Sequence, residues 1–177
     1  MAFEIERRFL IKNDNWKEFI NKKIYIEQGY FSKSLDGWII RVRLIGKNSK
    51  ITLKKHIKGF TNFEFEYSIP RRDAETIISN LSSTIKKERF FLEVEKKSWV
   101  IDCFKDDNYP LEIAEIELTN EEEDLSLPSF ISKEISGLKH YSNFSLANNP
   151  FSGLKVIFIE MKLKNIFLIQ NHSQILA

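Results

Sequence analysis

The chain has 177 residues, of which 42% are hydrophobic, and this is enough for one domain with a buried core. Its formal net charge of +2 is small for a dedicated nucleic-acid binder, so an electrostatic function must come from local arrangement. A single cysteine, Cys103, excludes an internal disulfide and a cysteine-based zinc site, and no run of about 18 apolar residues is present to span a membrane.

Eight segments carry the alternation of apolar and polar residues that is typical of β-strands. They are approximately 2–12, 26–32, 37–46, 49–56, 61–69, 86–95, 98–104 and 111–119. The short links 34–37, 46–49 and 58–59 contain turn-forming residues, so they predict hairpins and antiparallel pairing. Eight antiparallel strands are enough to close into a barrel. The sequence therefore predicts a mainly β fold (α+β), an eight-stranded antiparallel β-barrel.

A few helices are predicted around these strands. Asn13 can cap the first and Asp73 can cap the second. The third follows Pro128 and carries Phe130, Ile131 and Ile135. Each has an apolar face that must pack against something. We expect these helices to lie on the outside of the barrel.

Charged residues alternate with apolar residues on most of the predicted strands. The stretch EIERRFL (4–10) puts Glu4, Glu6 and Arg8 on one face and Ile5 and Phe9 on the other. In the ordinary interpretation the charged faces are solvated and the apolar faces fill the barrel, and alternation alone does not decide which face is inside. However, like charges two residues apart are unfavourable on a surface strand, and the outer helices need an apolar wall. Both points favour a barrel with a charged interior.

A charged interior would be nearly balanced, which matters because a buried charge without a partner is costly. The acids are Glu4, Glu6, Glu64, Glu66, Asp102, Glu115 and Glu117. The bases are Arg8, Arg41, Arg43, Lys54, Lys87 and Arg89. Carboxylate oxygens favour Mg²⁺ or Mn²⁺ over zinc, and guanidinium groups match phosphate oxygens. Together these groups predict phosphoryl transfer from a phosphate chain to water.

The EIERRFL stretch resembles the ExExK signature that opens the CYTH, or triphosphate tunnel metalloenzyme, family. Further blocks follow in the order of that family: EQGYF (27–31), IIRVR (39–43), ITLKK (51–55), FEFEYSIP (63–70), KKERF (86–90), VIDCF (100–104) and IAEIEL (113–118). KEISGLKHYSNFSLA (133–147) is similar to the family's closing helical segment, so the resemblance covers about residues 2–150. It implies a tunnel-forming barrel and a triphosphatase, a hydrolase that acts on phosphoanhydride bonds.

The resemblance also implies roles for individual residues. Metal ions would be held by Glu4, Glu6, Glu115 and Glu117, with Asp102 assisting. The phosphates would be bound by Arg8, Arg41, Arg43, Lys54, Arg89 and, in the closing segment, Lys139. The catalytic groups would be Lys87 as general base beside Arg89, with Glu64 and Glu66 at a second metal ion or positioning the attacking water. Water activated by the second metal ion is the competing mechanism, and the sequence does not choose between the two.

The expected reaction is metal-dependent hydrolysis of inorganic tripolyphosphate to pyrophosphate and phosphate, with Mg²⁺ or Mn²⁺ as cofactor. Adenylate cyclase and thiamine triphosphatase are the alternatives within the family, and a non-catalytic module that binds polyphosphate or nucleotides is a third. An ordinary barrel with an apolar pocket for a hydrophobic ligand is the alternative outside the family. It would place Ile5, Val42 and Phe65 inside the barrel.

Two features depart from the family pattern. Arg8 stands where the signature has lysine, and Ser142 and Phe144 stand where some relatives carry lysines. Residues 151–177 lie beyond the family's usual end, so we expect a domain over 1–150 and a C-terminal extension of unknown role. We further expect a cytoplasmic protein with a small-molecule triphosphate substrate and no nucleic-acid or membrane partner, and a homodimer is left open.

Overall fold

The structure is a computed structural model that describes residues 3–31 and 36–152. Its strands are β1 (Phe3–Ile11), β2 (Ile20–Tyr30), β3 (Ile39–Ile45), β4 (Asn48–Lys58), β5 (Thr61–Ser68), β6 (Ser83–Val94), β7 (Lys97–Phe104), β8 (Glu112–Glu117) and β9 (Ile131–Glu134). Its helices are α1 (Arg71–Ser79), α2 (Asn143–Asn148) and the 3-10 helices Asp14–Phe19, Asp106–Asn108 and Lys139–Tyr141. Within the described ranges no helix combines the length and apolar character needed to cross a lipid bilayer.

The first eight strands close into an antiparallel barrel. Their order is β5-β4-β3-β2-β6-β7-β8-β1, and β1 pairs in turn with β5, where Phe3 lies opposite Phe63. Beyond that pairing β1 is joined by β9, with Ile11 opposite Ile131. Closure pairs the edge strands with each other, so neither is left open to another chain. The predicted eight-stranded antiparallel barrel is confirmed.

Tight turns align β3, β4 and β5. Gly46 and Gly59 have φ angles of 54° and 49°, which residues with a Cβ adopt only at a cost. The resulting register places Arg41 opposite Thr52, and Thr52 opposite Glu66. The third predicted turn, 34–37, lies partly outside the described residues, as does most of the predicted extension 151–177. The division of the chain at residue 150 therefore stays a prediction.

The helix predictions need three corrections. The first helix is a 3-10 helix, whose cap is the side chain of Asn13 as predicted. Helix α1 has Pro70 at its N-cap position and no side-chain cap, so Asp73 lies in its first turn instead of capping it. The segment after Pro128 forms strand β9, because the backbone of β1 offers hydrogen bonds there that a helix could not use.

The apolar faces of the charged strands point outward, as the charged-interior prediction requires. Val42, between Arg41 and Arg43, is fully buried in a cluster with Ala74 and Ile78 of α1. Burying an aliphatic side chain of this size stabilises the fold by roughly 1.5–3 kcal/mol. A larger outer cluster, which includes Phe9, covers another part of the barrel. The ordinary barrel with an apolar interior is therefore wrong for this chain.

One end of the barrel interior is apolar and closed. Its lining residues are Leu10, Tyr30, Ile39, Ile85, Phe104, Leu111 and Ile113. Ile135 and Leu146, from residues 135–148, pack against this lining, and we call residues 135–148 the closing segment. The charged part of the interior lies toward the other end, where Glu117 is exposed.

Candidate active site

Alternate residues of the barrel strands place the charged side chains in the interior, on two facing walls. The first wall, from β1 and β3–β5, carries Glu4, Arg41, Arg43, Lys50, Thr52, Lys54, Glu64 and Glu66. The second wall, from β1 and β6–β8, carries Glu6, Arg8, Lys87, Arg89, Asp102, Glu115 and Glu117. Burial, the charge of Arg41 and, from the second wall, the charge of Arg89 lower the pKa of Arg43 to about 10. The two walls therefore influence each other.

Glu66 is the centre of the first wall. It accepts hydrogen bonds from Arg43 at 2.7 Å, from Lys50 at 2.5 Å and from Thr52 at 3.2 Å, and Nη2 of Arg41 lies 3.8 Å away. Burial opposes ionisation of Glu66, but Lys50 and Arg43 hold its pKa below the usual range. The ionised carboxylate therefore fixes the side chains of Arg43 and Lys50.

A second cluster on the first wall joins Lys54 with two carboxylates. Lys54 pairs with Glu4, and its Nζ lies 3.3 Å from Oε2 of Glu64. Burial lowers the pKa of Lys54, but the charges of Glu6, Glu4 and Glu64 outweigh it and raise the pKa. Burial and the charges of Glu6 and Glu64 raise the pKa of Glu4 to about 7 despite Lys54. One lysine does not neutralise these carboxylates, so a further cation would be favourable here.

We expect Glu4→Gln to change how stability depends on pH in the metal-free protein. The pKa of Glu4 in the fold is about 7, above its ordinary value of 4.5, so wild type loses stability as pH rises through this interval. Glutamine cannot ionise and removes this loss. Between about pH 5 and about pH 8, the free energy of unfolding should shift in favour of the variant by roughly 2 kcal/mol.

Denaturant unfolding at several pH values measures this difference. The control is Glu122→Gln, which neutralises an exposed glutamate outside the barrel and should leave the pH dependence unchanged. Parallel pH profiles for wild type and Glu4→Gln would show that Glu4 ionises as easily in the fold as in the unfolded chain.

Asp102 lies fully buried between two bases of the second wall. Its Oδ1 accepts from Nε of Arg89 and its Oδ2 from Nη2, both at 2.7 Å, and Oδ2 also pairs with Nζ of Lys87. Burial opposes ionisation, but Arg89 and Lys87 hold the pKa of Asp102 well below its usual range. Both carboxylate oxygens are engaged, so Asp102 acts here as the counter-ion of the two bases.

Lys87 is the most enclosed base of the site, with 1% of its side chain exposed. Burial lowers its pKa and Arg89 acts in the same direction, while Asp102 opposes them. Its Nζ also donates to Oδ1 of Asn143 at 3.0 Å and lies 5.3 Å from the centroid of the Phe104 ring. The fold thus brings together Lys87 and Arg89, the pair predicted to carry acid–base chemistry.

Glu6, Arg8 and Glu115 complete the second wall. Glu115 accepts from Nη2 of Arg89 at 2.6 Å, and burial and the charge of Glu6 raise its pKa although Arg89 opposes this. Nε of Arg8 lies 3.5 Å from Glu6, and its Nη1 donates to the carbonyl oxygen of Tyr141 at 3.0 Å. The forked guanidinium of Arg8 therefore joins β1 to the closing segment, a geometry that the single nitrogen of lysine matches poorly.

Two predicted site residues stand apart from these clusters. Glu117 is exposed and lies opposite Glu6 in the β1–β8 ladder, and Lys139 is exposed in the closing segment. In the described ranges no three His, Cys, Asp or Glu side chains are arranged as ligands of one metal ion. The carboxylates of Glu4 and Asp102 instead form ion pairs with lysine and arginine side chains. The metal ligands therefore remain a prediction.

Buried donors on the first wall are suited to an anion. Among the described residues, Nε of Arg41 and Nε of Arg43 are buried without a hydrogen-bond partner. Leaving a buried donor unsatisfied costs roughly 1–3 kcal/mol. An anion with several oxygens in the interior would accept from both groups. The interior thus fits an anion of high charge density.

The sequence analysis did not identify Lys50 or Asn143 as residues of the site. Lys50 continues the alternation of Thr52 and Lys54 along β4, so extending that pattern by two residues would have found it. Asn143 is separated from Lys87 by 56 positions in the chain and belongs to no charge pattern. No local signal in the sequence identified it.

Comparisons with known proteins place these features in context. No protein-family model matches the chain. It is similar to an inorganic triphosphatase of Acetivibrio thermocellus, 33% identical over 157 residues, which cover 88% of this chain and 99% of that protein. The solved structure of the inorganic triphosphatase NE1496 is 25% identical with a TM-score of 0.62, covering 83% of this chain and 95% of that one. The fold is shared with HpAC1 from Hippeastrum, an adenylyl cyclase candidate described as having a dominant triphosphatase activity. That structure is 16% identical with a TM-score of 0.52, and the match covers 69% of this chain and 81% of that one.

Proposed function

Because the chain belongs to the CYTH, or triphosphate tunnel metalloenzyme, family, we propose that it hydrolyses inorganic tripolyphosphate to pyrophosphate and phosphate with Mg²⁺ or Mn²⁺. The observation that carries this proposal is the barrel interior with two facing walls of paired charges. Its unpartnered guanidinium donors suit a chain of phosphates. The similarity to an inorganic triphosphatase along nearly the whole of that protein supports the same reaction.

The substrate is held by bases from both walls. The proposed phosphate contacts are Arg8, Arg41, Arg43, Lys54 and Arg89. The free Nε atoms of Arg41 and Arg43 support their part in this set. Because each of these bases is already held by a carboxylate or a carbonyl, little side-chain freedom is lost when phosphate binds. The exposed position of Lys139 gives its predicted contact no further support.

The metal ions would be held by carboxylates from both walls of the interior. The proposed ligands are Glu4, Glu6, Glu115 and Glu117. The raised pKa values of Glu4 and Glu115 support this assignment, because a nearby divalent cation would offset the repulsion among the carboxylates. When bound, Mg²⁺ or Mn²⁺ would neutralise charge on the phosphate oxygens. Asp102 holds the two bases instead of a metal ion, since both of its oxygens are engaged.

Lys87 takes the proton from the attacking water in this proposal, while Arg89 holds an oxygen of the transferred phosphoryl group. Burial lowers the pKa of the Lys87 ammonium, so it loses a proton more easily than an exposed lysine would. Glu66 is engaged with Arg43 and Lys50, so it orients these bases. Oε2 of Glu64 is buried, accepts no hydrogen bond among the described residues and lies 3.3 Å from Nζ of Lys54, and Glu64 is the carboxylate that orients the water in this proposal.

The test compares release of phosphate from tripolyphosphate, ATP and thiamine triphosphate, each with Mg²⁺ and with Mn²⁺. We expect the highest kcat/KM with tripolyphosphate and no turnover without a divalent ion. Glu6→Ala should lose roughly a hundredfold in kcat/KM, because a metal ion contributes several kcal/mol to stabilising the transition state. Glu122→Ala, an exposed glutamate outside the barrel, is the matched control and should keep wild-type activity.

Three other results would replace this proposal. Cyclic AMP and pyrophosphate as the products from ATP, without phosphate, would identify an adenylate cyclase. A clear preference for thiamine triphosphate would identify a thiamine triphosphatase. Binding of tripolyphosphate without release of phosphate, with either ion, would identify a non-catalytic binding module.

A further inference from the structure

The ammonium of Lys87 is held by groups from two different parts of the fold. On one side, Oδ2 of Asp102 comes from β7 within the barrel. On the other side, Oδ1 of Asn143, the first residue of α2, accepts from the same Nζ at 3.0 Å. The closing segment therefore reaches through the apolar end of the barrel and contacts the proposed base directly.

Helix α2 is held firmly against the barrel. The side chain of Ser142 caps it by accepting from the backbone N–H of Ser145 at 3.1 Å. Leu146 is fully buried, and its carbonyl oxygen accepts from Nδ2 of Asn108 at 3.2 Å. These contacts fix the backbone that carries Asn143 relative to β6 and Lys87.

The chemistry of an amine explains why two acceptors matter. A neutral lysine amine has two N–H donors and one lone pair, whereas the ammonium has three donors. Asp102 and Asn143 accept two N–H groups. When Lys87 is neutral, both of its donors are satisfied, and the remaining tetrahedral position holds the lone pair. Asn143 adds no charge, so it stabilises the ammonium less than a carboxylate at this position would.

We propose that Asn143 is a positioning residue that orients the Lys87 amine so that its lone pair faces the attacking water. This inference rests on the proposed function, in which Lys87 is the general base. It gives the closing segment a part in the reaction beyond covering one end of the barrel.

The test uses Asn143→Ala and Asn143→Asp in the full chain, with kcat and KM for tripolyphosphate measured across pH. Asn143→Ala should lower kcat by up to about a hundredfold, as expected when a reacting group is misplaced, while KM changes by about twofold or less. Asn143→Asp puts a carboxylate beside Lys87 and favours its ammonium. Its activity should therefore rise only at higher pH, with the rising limb of the kcat profile displaced by about one pH unit or more.

Asn148→Ala is the matched control, because Asn148 lies on the same helix and accepts from Ser83 without contacting Lys87. It should keep the wild-type kcat and pH profile. If Asn143→Ala does not fold, the nearly isosteric Asn143→Asp still reports the displacement of the pH limb.

Two results would overturn the inference. One is an active Asn143→Asp whose pH limb coincides with that of wild type. The other is an effect of Asn143→Ala that Asn148→Ala reproduces, which would mean that α2 has only a structural role. A wild-type protein that releases no phosphate would instead overturn the proposed function itself.

Discussion

Lys87→Ala is expected to lower kcat for tripolyphosphate by about 10²–10⁴-fold, the range found when a general base is removed. The reason is that Lys87 is buried beside Arg89, has a lowered pKa and is oriented by two acceptors. Arg89 cannot replace it, because a guanidinium does not give up its proton near neutral pH. Asp102 keeps its bidentate pair with Arg89 in the variant, so the fold should persist. Steady-state release of phosphate gives kcat and KM separately.

The matched control is Lys86→Ala. Lys86 is the preceding residue of β6, and it points out of the barrel toward Asp106. Its replacement should leave kcat within about twofold of the wild-type value, because exposed ion pairs of this kind contribute little. If the loss in Lys87→Ala fell on KM alone, Lys87 would be a phosphate contact, and water activated by a metal ion would be the better mechanism.

Asp102→Asn is expected to destabilise the protein by about 3–5 kcal/mol, the usual cost of removing one partner from a buried ion pair. The variant leaves Lys87 without a carboxylate and Arg89 with Glu115 alone. Asparagine has nearly the same shape, so the loss reports charge and not packing. Urea unfolding monitored by circular dichroism measures the free energy of unfolding, and activity should fall together with stability.

Glu88→Gln provides the matched comparison for this prediction. Glu88 lies on β6 next to Lys87 and also contacts two lysines, Lys23 at 2.9 Å and Lys105 at 2.7 Å, but on the outside of the barrel. Exposed pairs of this kind contribute about 0–1 kcal/mol. If the two variants lost the same stability, burial would not be the source of the effect at Asp102.

The barrel and its charged interior were predictable because the alternation of apolar and charged residues is a local property of each strand. In a strand, successive side chains point to opposite faces, so Arg41 and Arg43 must share a face that excludes Val42. The like-charged pairs argued that this face is inside, and the packing of Val42 against α1 confirms the argument. Most of the residues that line the two walls followed from the same alternation.

The wrong predictions concern segments where a local pattern fits two structures. Phe130, Ile131 and Ile135 have a spacing that suits a short helix. Their chain instead pairs with β1, because the last residues of that strand have no partner in β5. Pairing of this kind depends on a strand more than a hundred residues earlier, so no local pattern reports it. The first helix, of 3-10 form, is followed directly by β2, which begins at Ile20.

The sequence by itself determined the strands, their alternation and the set of charges that face the interior, because the period of a strand acts on neighbouring residues. Only the tertiary structure decided which acid meets which base. Closure of the barrel brings Lys87 to Asp102, and the return of the closing segment brings Asn143 to the same nitrogen and Tyr141 to Arg8. These contacts join distant parts of the chain, and they depend on strand order and register, which the composition of single strands does not contain.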